Sequence, residues 1–345
     1  MVKNNANYFL KLLKYVVSFA FAFFILYFLF RNQDPIKLIE EIRKVDTKWV
    51  ILSMIFGAWA YVSRGLRWIV LIDSLGYNST KMNSITSVSV GYFTNLFIPR
   101  AGEISRCTAL NRVEKIPVNK LFGTILIERV IDFAFLFGLI LLTIVLKFPT
   151  IFKFYTTLKA QQITDTTEST NYAFYTGLLI GLIIAYFLIK RWIIKSKFYE
   201  RILQFIDGLK EGFKSIKNMK SKSAFWTHTF SIWIMYFLMT YVCFFSMNET
   251  THLRISDGLF LLVLGGIGMV IPTPGGIGSY HAIVMIGLAV LGVGFIDLNS
   301  QSADYNPALV FPTIVHVAQT LVAIIMGSIS LLILFLTKKK KHVTS

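Results

Sequence analysis

The sequence predicts an all-α polytopic membrane protein with about six full transmembrane helices and two broken, re-entrant helical hairpins. Three observations support this fold class. Only 15% of the 345 residues are charged, the mean hydropathy is +0.62, and soluble domains carry roughly 25% charged residues. Apolar runs of about 18 or more residues, long enough to cross a hydrocarbon core, recur along the chain. These runs lack the alternating pattern of a membrane β-strand.

Each full span is expected to form one helix, because each has the length of a bilayer crossing. These spans are 8–30, 49–71, 119–147, 171–190, 223–247 and 306–337. Two further apolar segments are interrupted by proline and glycine, namely 82–98 with 104–118 and 256–271 with 279–295. Each pair returns the chain to the side from which it entered, whether it is a re-entrant hairpin or two short crossings. Residues 1–345 are thus predicted to form a single transmembrane domain.

The distribution of basic residues predicts that both termini face the cytoplasm. With the N-terminus inside, the cytoplasmic segments hold 25 of the 35 lysines and arginines, and the outside segments hold 9. This bias follows the positive-inside rule. The net charge of +17 is therefore assigned to contact with anionic lipid headgroups rather than nucleic acid. In the basic segment 190–222, apolar residues recur every three or four positions, which predicts a cytoplasmic amphipathic helix that lies on lipid or caps the bundle.

The two interruptions predict an inverted repeat. NLFIPRAGEISR (95–106) and GMVIPTPGGIGSYH (268–281) share the core I-P-x-x-G, with Pro99 matching Pro272. Each motif follows one full span and precedes another, so repeat one covers about 49–147 and repeat two about 223–337. With the N-terminus inside, the first pair opens from the cytoplasm and the second from outside. Inverted repeats with broken helices near the bilayer midplane are typical of transporters.

Ionisable residues in the predicted spans are candidate functional residues, because an unpaired charge in lipid costs at least about 2.5–3.5 kcal/mol. Glu128 and Asp132 share a helix face, with Arg129 beside them. They orient arginines in a cavity or carry a proton, or they belong to a salt-bridged structural cluster. Arg64 and Arg67 either clamp a headgroup phosphate or extend to phosphates at the cytoplasmic surface.

The first hairpin tip is the main candidate binding site. Arg100, Glu103 and Arg106 recur every three residues after the break, which predicts one charged face on the returning half-helix. Together with the exposed amides of the tip, this face indicates an anion site. Asn95 is placed to hydrogen-bond backbone groups that the break leaves free.

The second tip offers mainly glycine backbone, at Gly275 and Gly276, followed by His281. His316 and Gln319 lie in the last span. These histidines are either packing residues or groups that couple transport to protons. No catalytic motif, metal-ligand spacing or phosphate-binding glycine loop is recognised, so neither a metal nor a cofactor is expected.

Four motifs, taken in order, resemble a known family. They are Arg64-x-x-Arg67-Trp68, Gly91-x-x-x-Asn95-x-x-x-Pro99-Arg100-x-Gly102-Glu103-x-x-Arg106, Glu128-Arg129-x-x-Asp132 and Pro272-Thr273-Pro274-Gly275-Gly276-x-Gly278. Together they resemble the transmembrane (flippase) domain family of lysylphosphatidylglycerol synthases. The resemblance implies a bacterial inner-membrane protein that moves a lipid headgroup between leaflets.

Two departures limit what the resemblance implies. The chain ends at KKKKHVTS, so the soluble C-terminal domain that makes the aminoacylated lipid is expected to be missing and synthase activity is not implied. His281 stands where the family usually has Glu, three residues after Gly278. A histidine suits an anionic or proton-coupled site at least as well as a site for the cationic headgroup of the synthases.

The sequence therefore favours a translocase for a phosphate-bearing lipid: a phospholipid, an aminoacylated lipid or a polyprenyl-phosphate-linked lipid. Two alternatives belong to other classes. One is an intramembrane transferase that modifies a lipid carrier, with Glu128 and Asp132 as bases or metal ligands. The other is a scaffold that transports nothing. The expected partners are membrane lipids with anionic headgroups, and a homo-oligomer or a separate lipid-synthesising enzyme is compatible with each hypothesis.

Overall fold

A computed structural model describes residues 2–165, 219, 221–295 and 305–343. Across these ranges the regular secondary structure is helical and includes no strand, which confirms the all-α class. The predicted span 171–190 and nearly all of the segment 190–222 lie outside the described residues. The chain divides into two compact units, Met1–Phe148 with Met219–Ser345, and Pro149–Asn218. In the second unit, residues 149–165 are described, and they are helical.

The N-terminal helices are α1 (Val2–Phe30), α2 (Pro35–Lys44) and α3 (Thr47–Ser74). Helix α2 lies within the predicted outside segment 31–48 and is bent by 89° from α1. It begins where it does because Asp34 caps it, accepting a hydrogen bond from the Ile36 amide at 2.8 Å. A proline then occupies its first turn, where its missing N–H costs nothing.

The first interrupted segment forms two packed half-helices, α4 (Lys81–Phe97) and α5 (Gly102–Glu114), joined by a non-helical break. Helix α5 ends before the predicted residue 118, because Lys115 adopts a left-handed conformation with φ 61° and Pro117 follows. Helix α6 (Val118–Asp165) continues past the predicted end at 147 and contains Pro149.

The C-terminal helices repeat the order of long helix, hairpin and long helix. They are α7 (Lys222–Val242), α8 (Ile255–Val270), α9 (Ser279–Val290) and α10 (Pro307–Val343), with short 3₁₀ turns at Cys243–Ser246, Asn248–Thr250 and Pro274–Gly276. The half-helices α8 and α9 have 16 and 12 residues, too few for an untilted crossing at 1.5 Å per residue.

Four helical segments in the described part of the chain are long and apolar enough to cross a membrane. They are Thr47–Ser74, Val118–Thr157, Lys222–Ser246 and Pro307–Thr337. A fifth qualifies when Tyr15–Phe30 is taken together with the bent helix Pro35–Lys44. These segments coincide with five of the six predicted spans, and the sixth, 171–190, is not among the described residues.

Contacts at the helix ends bring together segments that the predicted topology places on the same side of the membrane. The Asp46 amide donates to the Ser246 carbonyl at 3.0 Å, which joins the predicted outside segment 31–48 to the predicted outer end of the span 223–247. The Asn83 side-chain amide donates to Glu114 at 2.6 Å, which joins the predicted cytoplasmic end of the segment 82–98 to the predicted cytoplasmic segment 100–120. The absolute orientation and the inverted symmetry of the two halves stay predictions.

Two of the buried apolar clusters in the described part of the chain pack the helices near the breaks and the charges. One surrounds Phe244, Leu288 and Phe311 and joins the 3₁₀ turn after α7 to α9 and α10. The other contains Trp68, Leu110 and Ile125 and joins α3, α5 and α6. The second cluster lies beside the buried charges described next, so these charges are held among closely packed helices.

Candidate functional site

Seven charged side chains from α3, α5 and α6 meet within the helix bundle. This charge cluster comprises Arg64, Arg67, Glu103, Arg106, Glu128, Arg129 and Asp132. The helical period brings them together, because residues three or four apart share a face. The sequence identified each of these residues as a candidate, and the structure shows which of them pair.

Asp132 and Arg67 form the two-point pair of the charge cluster. Arg67 Nη1 donates to Asp132 Oδ1 at 2.8 Å and Arg67 Nη2 donates to Oδ2 at 3.2 Å, so the guanidinium grips both carboxylate oxygens. Arg64 Nη1 adds a third bond to Oδ2 at 2.9 Å. Two-point pairing of this kind fixes orientation as well as charge.

Glu128 links α3 to α5. It accepts one hydrogen bond from Arg67 Nε at 3.2 Å and a second from Arg106 Nη2. The Arg106 guanidinium also lies over the Trp68 ring, 4.7 Å from the ring centroid. Trp68 is held in turn by its indole N–H, which donates to Thr124 at 2.7 Å. Glu128 and Asp132 of α6 are therefore both paired with arginines, as expected if they belong to a salt-bridged structural cluster.

The rim of the charge cluster is more exposed than its centre, and the cluster as a whole is not charge-balanced. Arg129 Nη2 donates to Glu103 at 2.9 Å, and the Arg129 side chain is 45% exposed. Four guanidiniums face three carboxylates in the cluster, which leaves one net positive charge. In addition, Arg106 Nε and Glu103 Oε2 are buried without a hydrogen-bond partner among the described residues. The net positive charge of the whole cluster favours an anion nearby.

The first hairpin tip is closed by its own residues. Asn95 Oδ1 accepts a hydrogen bond from the Gly102 amide at 2.7 Å, the backbone role expected from the sequence. Gly102 permits a close approach of the two half-helices, because a Cβ there would lie 2.4 Å from the Gly91 carbonyl oxygen.

The predicted shared face of Arg100, Glu103 and Arg106 is wrong for Arg100. Helix α5 begins at Gly102, and Arg100 lies in the break with a φ of 62°. Its guanidinium donates to the Val270 carbonyl at 3.0 Å. Arg100 thus ties the first tip to the end of α8, at the second break.

A cavity of about 310 Å³ lies between the two hairpins and the long helices. Of the candidate residues, four line it: Asn95, Gly275, His316 and Gln319. The arginines and carboxylates of the charge cluster do not line it. The hydroxyls of Tyr92 and Tyr236 lie between the charge cluster and the cavity. Arg64 Nε donates to the Tyr236 hydroxyl at 2.6 Å, and this hydroxyl lies 3.1 Å from that of Tyr92.

The sequence interpretation missed these tyrosines. Tyr92 and Tyr236 line the cavity on one side and bond to the charge cluster on the other. Tyr61 stacks on Tyr92, with ring centroids 4.2 Å apart. Tyrosine is common in membrane helices as a packing or interfacial residue, so sequence alone did not distinguish them. The one available signal was position, since Tyr92 lies three residues before the candidate Asn95.

The sequence interpretation also missed a second ion pair. Lys147 donates to Asp257 across α6 and α8, and both side chains are almost fully buried. Asp257 also caps α8, accepting a hydrogen bond from the Arg254 amide at 2.7 Å. Both residues occupy predicted helix ends, where charged side chains are usually solvated. The sequence therefore did not indicate that these two charges would be buried.

The two candidate histidines lie together, away from the charge cluster. The His281 and His316 ring centroids are 5.0 Å apart. Gly276, next to the cavity-lining Gly275, belongs to the 3₁₀ turn of the second break and does not itself line the cavity. Within the described ranges, no group of three or more His, Cys, Asp or Glu residues is arranged to hold a metal ion.

The chain is similar in sequence to known membrane proteins. The family model described as the lysylphosphatidylglycerol synthase TM region matches residues 15–327. A UPF0104 membrane protein of Methanocaldococcus jannaschii is 26% identical over 269 residues, covering 74% of this chain and 79% of the relative. Another, of Methanothermobacter thermautotrophicus, is 24% identical over 285 residues, covering 75% and 80%. No solved structure matches. Because the family match spans most of its length, this multi-pass membrane protein belongs to the family of lysylphosphatidylglycerol synthase transmembrane regions.

Proposed function

We propose that the protein translocates a phosphate-bearing lipid between the leaflets of a prokaryotic cell membrane, with both termini in the cytoplasm. The main observation in support of this proposal is the cavity of about 310 Å³ that is bounded by both broken hairpins. Broken helices supply polar backbone at membrane depth, where a headgroup would otherwise meet only hydrocarbon. The resemblance suggested a bacterial inner membrane, whereas the two relatives are archaeal, so the proposal is made for either kind of cell.

The charge cluster supports an anionic headgroup. Its net positive charge lies next to the cavity, behind the hydroxyls of Tyr92 and Tyr236. A positive field in a low-dielectric medium attracts anions over several ångströms. The arginines act through this field and through the tyrosines, since Arg64, Arg67 and Arg106 are already paired with carboxylates.

The transferase alternative has less support. It needs Glu128 and Asp132 as bases or metal ligands, yet their oxygens accept hydrogen bonds from Arg64, Arg67 and Arg106. A carboxylate held in this way is a poor proton acceptor because its charge is already stabilised. The scaffold alternative predicts that the protein transports no lipid, so that filling the cavity has no effect on transport. The flipping assay described next also tests this alternative.

The test is a flipping assay in proteoliposomes with a fluorescent phospholipid, comparing two substitutions on α10. Thr320 lines the cavity, so Thr320→Trp should fill it and reduce flipping to the rate of empty vesicles. Val317 is half exposed on the outer side of the same helix, so Val317→Trp should flip at the wild-type rate. Wild-type flipping by Thr320→Trp, or no flipping by the unmodified protein, would contradict the proposal.

A further inference from the structure

The second hairpin carries buried imidazoles that the pairing of the charge cluster does not explain. His281 and His316 are 5% and 6% exposed. His281 Nδ1 and both ring nitrogens of His316 have no hydrogen-bond partner among the residues that the structure describes. A neutral imidazole carries one N–H donor and one acceptor. His316 therefore has a buried donor and a buried acceptor that the surrounding side chains do not satisfy.

His316 lies where two spaces meet. It lines the cavity between the hairpins, and it also lines a groove of about 580 Å³ along α1. The groove is walled by Phe23, Tyr27 and Phe30 of α1, and by Thr313 and both histidines on the opposite side. Phe23 and Tyr27 are about two-thirds exposed. In a multi-pass membrane protein, such an apolar and outward-facing wall meets lipid chains.

The hydrogen-bonding character of the cavity indicates what kind of group it takes. The Trp233 indole N–H, which can only donate, lines the cavity and is also unpartnered within the described part of the chain. Neither the cavity nor the groove is lined by a described Asp, Glu, Lys or Arg side chain. The site therefore offers unpartnered N–H donors and has no carboxylate for an ammonium group. Phosphate oxygens, which accept several hydrogen bonds each, fit this set.

We propose that His281 and His316 bind a phosphate oxygen of a membrane lipid at this junction, while a hydrocarbon chain of the same lipid lies in the groove along α1. This inference rests on the proposed function, because it names the lateral route by which the translocated lipid reaches the cavity. The headgroup stays among the donors, and the chain stays in contact with the bilayer, so the chain need not enter the bundle.

Photocrosslinking tests the site. The full-length protein is reconstituted in vesicles of phosphatidylcholine that contain a phosphatidylglycerol with a photoreactive acyl chain, and labelled peptides are identified by mass spectrometry. The expected labels fall on the groove residues Phe23, Tyr27 and Thr313, above the background at Phe133 and Phe137. These last two are exposed on α6 and serve as an internal control for general lipid contact.

Two variants separate the polar contact from the apolar one. H281F with H316F keeps ring size but removes the donors, and it should lower groove labelling about tenfold, as expected for a lost hydrogen bond to a charged group. Thr313→Trp fills the groove without altering either histidine, so it should lose groove labelling even if the double variant misfolds. Labelling of α6 should not change in either variant.

Two results would overturn the inference: equal labelling of the groove and α6 in the unmodified protein, or unchanged groove labelling in both variants. Flipping is measured on the same vesicles. Flipping without groove-specific labelling refutes this site and leaves the proposed function standing. Groove-specific labelling without flipping refutes the proposed function and leaves the lipid site standing.

Discussion

At the scale of single residues, Glu128 is the carboxylate that joins α6 to two other helices. It accepts hydrogen bonds from Arg67 on α3 and from Arg106 on α5, and it is itself fully buried. Its loss would leave two buried guanidiniums without that carboxylate. Breaking a buried ion pair from one side is strongly destabilising, because the remaining charge is uncompensated.

We therefore expect Glu128→Gln to destabilise the detergent-solubilised protein by about 3–5 kcal/mol. Glu103→Gln is the matched control, since the ion pair that Glu103 forms within the described residues is with the half-exposed Arg129, and exposed pairs contribute roughly 0–1 kcal/mol. Thermal unfolding followed by tryptophan fluorescence compares the two. An equal fall in melting temperature for both variants would show that Glu128 does not hold the helices together.

The sequence predicted which charges matter but not how they pair. Arg64, Arg67, Arg106, Glu128 and Asp132 could be identified because ionisable residues within apolar spans are rare. Their partners depend on how α3, α5 and α6 pack, which helical periodicity within one segment does not contain. For the same reason, Arg100 was assigned to a helical face that begins only two residues later.

At the scale of elements, the interruptions were more predictable than the helix ends. Proline and glycine in NLFIPRAG and VIPTPGG predicted both helix breaks, because neither residue favours a helix interior. Helix α2 was not identified, although Asp34 before Pro35 is a recognisable helix start. Residues 31–48 are too polar to resemble a transmembrane span, so their hydropathy pattern did not indicate a helix.

The contact between α4 and α5 gives a second prediction. Because a Cβ on Gly102 would meet the Gly91 carbonyl oxygen, Gly102→Ala should force the half-helices apart at a cost of about 1–3 kcal/mol. Gly138→Ala on α6 is the control, since a Cβ there meets no described atom within 4 Å; it should be neutral or slightly stabilising because alanine favours helix. The midpoints of thermal unfolding should differ in that order, and the reverse order would contradict the close packing.

At the scale of the whole molecule, the orientation in the membrane is the most direct prediction to test. Asn78 and Lys48 are exposed at opposite ends of α3, and the basic-residue bias places position 78 in the cytoplasm. In intact cells, a membrane-impermeant maleimide should therefore label Lys48→Cys and leave Asn78→Cys unlabelled until the membrane is opened. The native Cys107 and Cys243 are buried and should contribute little background. Labelling of position 78 alone would reverse the topology.

The arrangement of the whole molecule could be predicted only in part. Segment order and the shared I-P-x-x-G core predicted two helix–hairpin–helix units. The cavity between them, the groove along α1 and the Lys147–Asp257 pair arise from contacts between distant segments. Such contacts leave no periodic signal in one sequence, so these features required the structure.

Both breaks contain local hydrogen bonds, and the second is also held by the N-terminal helix, which has a consequence for how the protein is made. The first break is closed by Asn95 and Gly102, only seven residues apart. The second is closed locally by the Thr273 and Ser279 hydroxyls, which lie 2.8 Å apart. It is also braced by α1, where Ser18 donates to the Pro272 carbonyl at 2.7 Å and Gly278 lies against the Ala22 carbonyl. Because synthesis runs from the N-terminus, the first hairpin can close soon after it leaves the ribosome. The second hairpin leaves the ribosome about 250 residues after α1, so its contacts with α1 form only once that helix has already been made.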